Sequence, residues 1–144
     1  MLPQVMSPAL NRLRVLLQIW MVLFLSATVV FLFFGAELLA KINQVSVKFF
    51  PALPLLSPSQ ERFWLVLTLS LMITLIFLCY WGQKDIVKHL FVVVPILVSK
   101  FVSTFFFFVF FVFSERTLAY FVGLATDGVI FLVTWYFYRQ TKRT

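Results

Sequence analysis

Charge is what this sequence has least of. Asp, Glu, Lys and Arg make up 12% of its 144 residues, where a soluble domain normally carries about a quarter. With 62% hydrophobic residues and 20 phenylalanines, the chain has too little polar surface to cover its apolar side chains in water. A mean hydropathy of +1.03 agrees. Cysteine and histidine occur once each, at Cys79 and His89. A single cysteine excludes an internal disulfide and any Cys-x-x-Cys redox or zinc motif. A single histidine leaves a metal or haem site built from this chain short of ligands. No nucleophile–base set, phosphate loop or metal cluster can be traced, so the expectation is a non-enzyme with no metal and no cofactor. Acidic residues are also scarce, 5 against 12 basic ones, for a formal charge of +7. The basic residues form no run of the kind that makes a nucleic-acid surface. They stand just outside apolar segments, where they orient helices and meet anionic lipid head groups.

What the chain does have is long apolar stretches. They predict an all-α integral membrane protein: a bundle of four transmembrane helices in one domain over residues 1–144, at approximately 15–38, 62–81, 89–113 and 117–138. Each is near the ~20 residues that cross a ~30 Å hydrocarbon core. The first is too long for a signal-peptide core of roughly 7–15 residues and reads as a retained helix. Between the first two helices lies an apolar segment, 41–60, broken by Pro51, Pro54 and Pro58. Each proline lacks an N–H and restricts its predecessor, so an irregular interfacial loop is expected there. Its end carries a capping box, Ser57-x-x-Gln60, with Pro58 at the first helical position. Pro95 is expected to kink the third helix.

Positive charge sets the orientation. Arg12, Arg14, Lys84, Lys88, Arg139, Lys142 and Arg143 fall on one side, and Lys41, Lys48, Arg62 and Arg116 on the other. Both termini are therefore expected in the cytoplasm, in a bacterial-type inner membrane. Trp81, Trp135, Tyr136 and Tyr138 mark the inner interface and Trp64 the outer one.

Two charges fall at membrane depth. Lys100 lies about 11 residues past His89, roughly 17 Å in, and Asp127 about 10 residues past Thr117, roughly 15 Å from the opposite surface. Neighbouring antiparallel helices bring them to one level. Each alone would cost roughly 2.5–3.5 kcal/mol on insertion scales, so an inward-facing Lys100–Asp127 ion pair is expected. At 100° per residue, Ser103 and Thr104 fall near Lys100. Tyr120, Gly123, Asp127, Thr134 and Tyr138 share a stripe within about 60°, the small and hydroxyl face that membrane helices use against one another. Such a pair has two readings. It can fix helix register, or mark a proton or substrate path. Glu37, near the end of helix one, is expected to reach Lys41 in an ordinary i,i+4 pair, and lies too near that end for the mid-helix carboxylate of small multidrug carriers. His89 reads as an interfacial histidine and Cys79 as a small packing residue.

The leading expectation is an accessory or structural subunit packing against larger partners in a membrane complex. Phe49, Phe50, Pro51 and Pro54 would serve as a docking loop. One alternative is a small homo-oligomeric carrier or channel component that uses the Lys–Asp pair. The other is a membrane anchor binding quinone or lipid for a redox or lipid-handling enzyme. The lipid bilayer is a partner in all three readings, and nucleic acid in none.

Overall fold

The computed structural model describes residues 7–57 and 62–142. Its elements are α1 (Pro8–Phe49), α2 (Arg62–Lys84), a 3-10 turn (Leu90–Val92), α3 (Val93–Phe113) and α4 (Leu118–Thr141). All four α-helices are long and apolar enough to cross a membrane. The expected capping box is described only at Ser57; Pro58, Gln60 and the charges Glu61 and Arg143 lie outside the described residues.

Helix α1 starts seven residues earlier and ends eleven residues later than the span read from hydropathy. Ser7 caps it, its Oγ accepting from Leu10 N at 3.4 Å, and Pro8 follows in the first turn. That placement suits a residue without an N–H. At the other end, the segment 41–49 is helical where an irregular loop was expected. Nothing in it breaks a helix, and the first proline stands at Pro51. The residue before a proline is pushed out of the α region. Phe50, at φ −137° and ψ 59°, ends the helix there. The irregular stretch is thus shorter than expected. It folds back over the end of α1, where Asn43 Nδ2 donates to the Leu56 carbonyl at 2.9 Å. Over its 42 residues α1 is interrupted once, at Phe34, whose φ −130° and ψ 19° are not helical.

The remaining boundaries shift less. Helix α2 continues through Gly82 to Lys84. A 3-10 turn precedes α3, so Pro95 falls in the first turn of α3, where its missing N–H leaves no intrahelical bond unmade. The expected mid-helix kink is absent for that reason. Thr117 caps α4, its Oγ accepting from Tyr120 N at 3.4 Å.

Packing runs in the order α2–α1–α4–α3. Helices α1 and α2 form one antiparallel hairpin and α3 and α4 the other, and α1 against α4 joins the two. Helices α2 and α3 touch only sparingly, leaving the fourth side loosely closed. The core is lopsided. Leu13, Leu16, Leu17, Trp20 and Phe24 of α1 are buried with Leu75 and Cys79 of α2, Ile96 and Leu97 of α3, and Ile130 of α4. All lie toward the end that holds the start of α1, the α2–α3 link and the end of α4, here termed the proximal end. Past the level of Phe24, Leu118 is the one buried hydrophobic residue among those described.

Two glycines permit close approach. A Cβ on Gly82 would stand 2.9 Å from both Leu17 Cδ1 and Val92 Cγ2, and one on Gly123 would stand 2.7 Å from the Phe107 ring. Gly35 meets nothing within 4 Å. Gly82→Ala and Gly123→Ala should each destabilise the fold by about 1–2 kcal/mol through overpacking, while Gly35→Ala should be neutral or slightly stabilising. Thermal unfolding of the detergent-solubilised protein measures this, and equal effects at all three positions would contradict the packing described.

Candidate functional site

The candidate site grows from one lysine. Lys100 sits two turns into α3 and is 3% exposed, amid Val93, Ile96 and Leu97. A cation so placed needs a counter-charge, because apolar neighbours cannot replace its hydration. Asp127, ten residues along α4, supplies it: Lys100 Nζ donates to Asp127 Oδ1 at 2.8 Å. Among the described residues this is the only ion pair. The second carboxylate oxygen is also engaged. Ser103, one turn beyond Lys100, donates its hydroxyl proton to Asp127 Oδ2 at 2.5 Å. The same hydroxyl lies 3.2 Å from the Lys100 carbonyl. It has one proton, and the charged acceptor makes the stronger bond.

A third helix packs against the lysine. The ring of Phe24, on α1, has its centroid 4.9 Å from Lys100 Nζ, within the range in which a ring face attracts a cation. One turn nearer the proximal end, Trp20 Nε1 donates to Thr134 Oγ1 at 2.9 Å, and that hydroxyl donates to the Ile130 carbonyl at 2.6 Å. Thr134 is fully buried, so both roles of its hydroxyl are filled without water. The cluster of Lys100, Asp127 and Ser103 is therefore charge-neutral. Helices α3 and α4 supply its polar groups, and α1 covers it with an aromatic face.

The other polar-face residues divide between two neighbours. Thr104 donates to the Lys100 carbonyl at 2.6 Å, and its methyl lies 3.6 Å from where a Cβ on Gly128 would be. Tyr120 and Gly123 face α3: the Tyr120 ring lies 5.9 Å from that of Phe110 and 6.4 Å from that of Phe107, the side chain Gly123 admits. Thr134 faces α1 instead, through Trp20. Tyr138 is half-buried beside the core and carries Lys142 Nζ 4.9 Å over its ring. Phe49, Phe50, Pro51 and Pro54 are exposed together at the end of α1, with Lys48 Nζ 5.3 Å from the Phe49 ring. Glu37 and Lys41 are both exposed and form no ion pair, contrary to expectation. His89 stacks near Trp81, at 5.7 Å, and Phe91, at 6.1 Å.

Sequence reasoning missed Phe24 and Trp20. A signal existed, since Leu13, Leu16, Leu17, Trp20 and Phe24 follow the 3–4 spacing of a buried stripe. In a helix apolar on every side that stripe does not stand out, and nothing distinguishes one phenylalanine from the other 19. No protein-family model, curated protein or solved structure matches the chain.

Lys100→Met and Asp127→Asn should each destabilise the protein by about 3 kcal/mol, because each strands the opposite charge. The double variant should lose less than half the sum of the two. Unfolding in detergent, run as a double-mutant cycle, reads this coupling. Strict additivity would mean that the two side chains do not interact.

Proposed function

We propose that this chain is a non-enzymatic membrane subunit, crossing the bilayer four times with both termini in the cytoplasm, that packs against larger partners in a complex. The observation carrying this reading is the uneven core. The proximal half is filled by interlocking side chains from all four helices. The distal half, rich in phenylalanine, buries almost nothing within the chain. Phe105, Phe106, Phe108, Phe110 and Phe113 of α3 are all exposed. A half-filled bundle, loosely closed between α2 and α3, offers apolar surface and a gap to further helices. Small and aromatic surfaces of this kind drive helix association inside lipid, where burial from water supplies no force. Phe49, Phe50, Pro51 and Pro54 add a further exposed apolar segment at the end of α1.

The charge pair supports the structural role over the transport role. Both carboxylate oxygens of Asp127 and the ammonium of Lys100 already have partners, Phe24 lies over the ammonium, and the Asp127 side chain is 15% exposed. Two surface grooves, one near each end of α1, are lined by other residues. A carrier needs an ionisable group that meets water and exchanges its partner. The seven-to-four division of basic residues favours the cytoplasmic placement of both termini, in a bacterial-type inner membrane.

Purification from native membranes in mild detergent, with mass spectrometry of the eluate, tests the reading. A stoichiometric polypeptide partner is expected. Phe108→Ala combined with Phe113→Ala should reduce its recovery severalfold while leaving the melting temperature of the isolated chain within about 2 °C. Purification as a stable monomer with an activity of its own would refute it.

A further inference from the structure

At the proximal end, α1 and α4 leave a groove of about 470 Å³ between them. Its wall is Val15, Leu16 and Ile19 of α1 with Phe137 of α4, and its mouth is Asn11 and Arg12. Residues 12, 15, 16 and 19 follow helical spacing, so one face of α1 runs from a guanidinium at the mouth to an isoleucine about 10 Å deeper. Val15 and Ile19 are 46% and 53% exposed, so the apolar floor is open along its length. Arg12 is exposed and makes no hydrogen bond or ion pair among the described residues, and its guanidinium carries five N–H donors.

We infer that this groove binds one anionic phospholipid, with an acyl chain along Val15, Ile19 and Phe137 and the phosphodiester on Arg12 and Asn11. The inference rests on the membrane reading above, which puts the mouth at head-group level on the cytoplasmic side. Charge complementarity selects the occupant. The described charged residues at this end are Arg12, Arg14, Lys84, Lys88, Arg139 and Lys142, with Asp85 the sole acid. The Asp85 carboxylate is engaged at home, accepting from Lys88 N at 3.1 Å. Basic pockets between helices on the cytoplasmic face take anionic head groups for this reason. A guanidinium fits a phosphodiester with two parallel N–H bonds, where an ammonium offers a point charge. A second copy of the chain would bring the same positive end and be repelled, and a zwitterionic lipid would gain far less from Arg12.

The test uses the full chain in bilayers of phosphatidylcholine and phosphatidylglycerol, released for native mass spectrometry. One phosphatidylglycerol should remain bound in preference to phosphatidylcholine. Arg12→Gln should cut that preference roughly fivefold, as expected for one interfacial cation. Ile19→Trp, which fills the groove, should abolish retention of either lipid. Arg139→Gln, whose side chain lies over Trp135 rather than in the groove, should leave retention unchanged. In native membranes a photoreactive residue at position 19 should attach to lipid. Attachment to a polypeptide there, or equal retention of the two lipids by wild type and Arg12→Gln, would overturn the proposal and leave the membrane reading standing. Release of the chain from membranes by alkaline carbonate would overturn both.

Discussion

A lysine ammonium placed among apolar side chains has to meet a counter-charge, and that requirement organises this molecule. Lys100 fixes the level at which α4 must present Asp127, and Asp127 in turn draws the Ser103 hydroxyl from the next turn of α3. The register between α3 and α4 follows. Gly123, one turn along, can then admit Phe107, and Tyr120 can meet Phe110. The same cation draws Phe24 over it from α1. The Trp20–Thr134 bond at the adjoining turn holds α1 to α4 independently of charge. One pair of ionised groups thus makes contacts on three helices.

Helix α2 stands apart from this polar scheme. It is held to α1 by apolar packing and by the close approach at Gly82, and it reaches α3 mainly through the short link that joins them. The consequence is a molecule knit together at one end and open at the other. Below the Phe24–Lys100 level the side chains interlock. Beyond it the helices present rings outward, and among the described residues only Thr117, Leu118 and Ser46 are buried. In an apolar solvent such a surface costs nothing to leave uncovered and gains dispersion energy when another helix packs on it. The proposed function thus assigns stability and association to different halves of the same four helices.

Much of this was legible in the sequence because it depends on local or single-residue signals. The number of helices follows from run length. The Lys100–Asp127 juxtaposition follows from counting residues inward from two helix ends. Where the reading departed from the structure, the physics was of a different kind. Hydropathy marks where a chain is apolar, and helix α1 extends beyond that at both ends. The Ser7–Pro8 pair is the same capping signal that was read at Ser57–Pro58. At Ser7 it is followed by Asn11, Arg12 and Arg14, which interrupt the apolar run that hydropathy detects. The helix through 41–49 was hidden by treating the whole stretch as governed by its prolines, although a proline constrains only its own position and the residue before it. The roles of Phe24 and Trp20 had the weakest trace, since they arise from the docking of two hairpins, and a helix apolar all round does not advertise which side docks.

The most direct test of the central claim is a distance across the pair in lipid. With Asp85→Asn, Asp127 becomes the one aspartate in the chain, and carboxyl-¹³C aspartate with ε-¹⁵N lysine can be introduced together. Solid-state NMR of the protein in bilayers should then show strong dipolar coupling between the Asp127 carboxylate carbon and a lysine nitrogen. That coupling should vanish in Lys100→Met. Its absence in the parent, or its survival when Lys100 is removed, would contradict the account of a buried pair that sets the register of the helices.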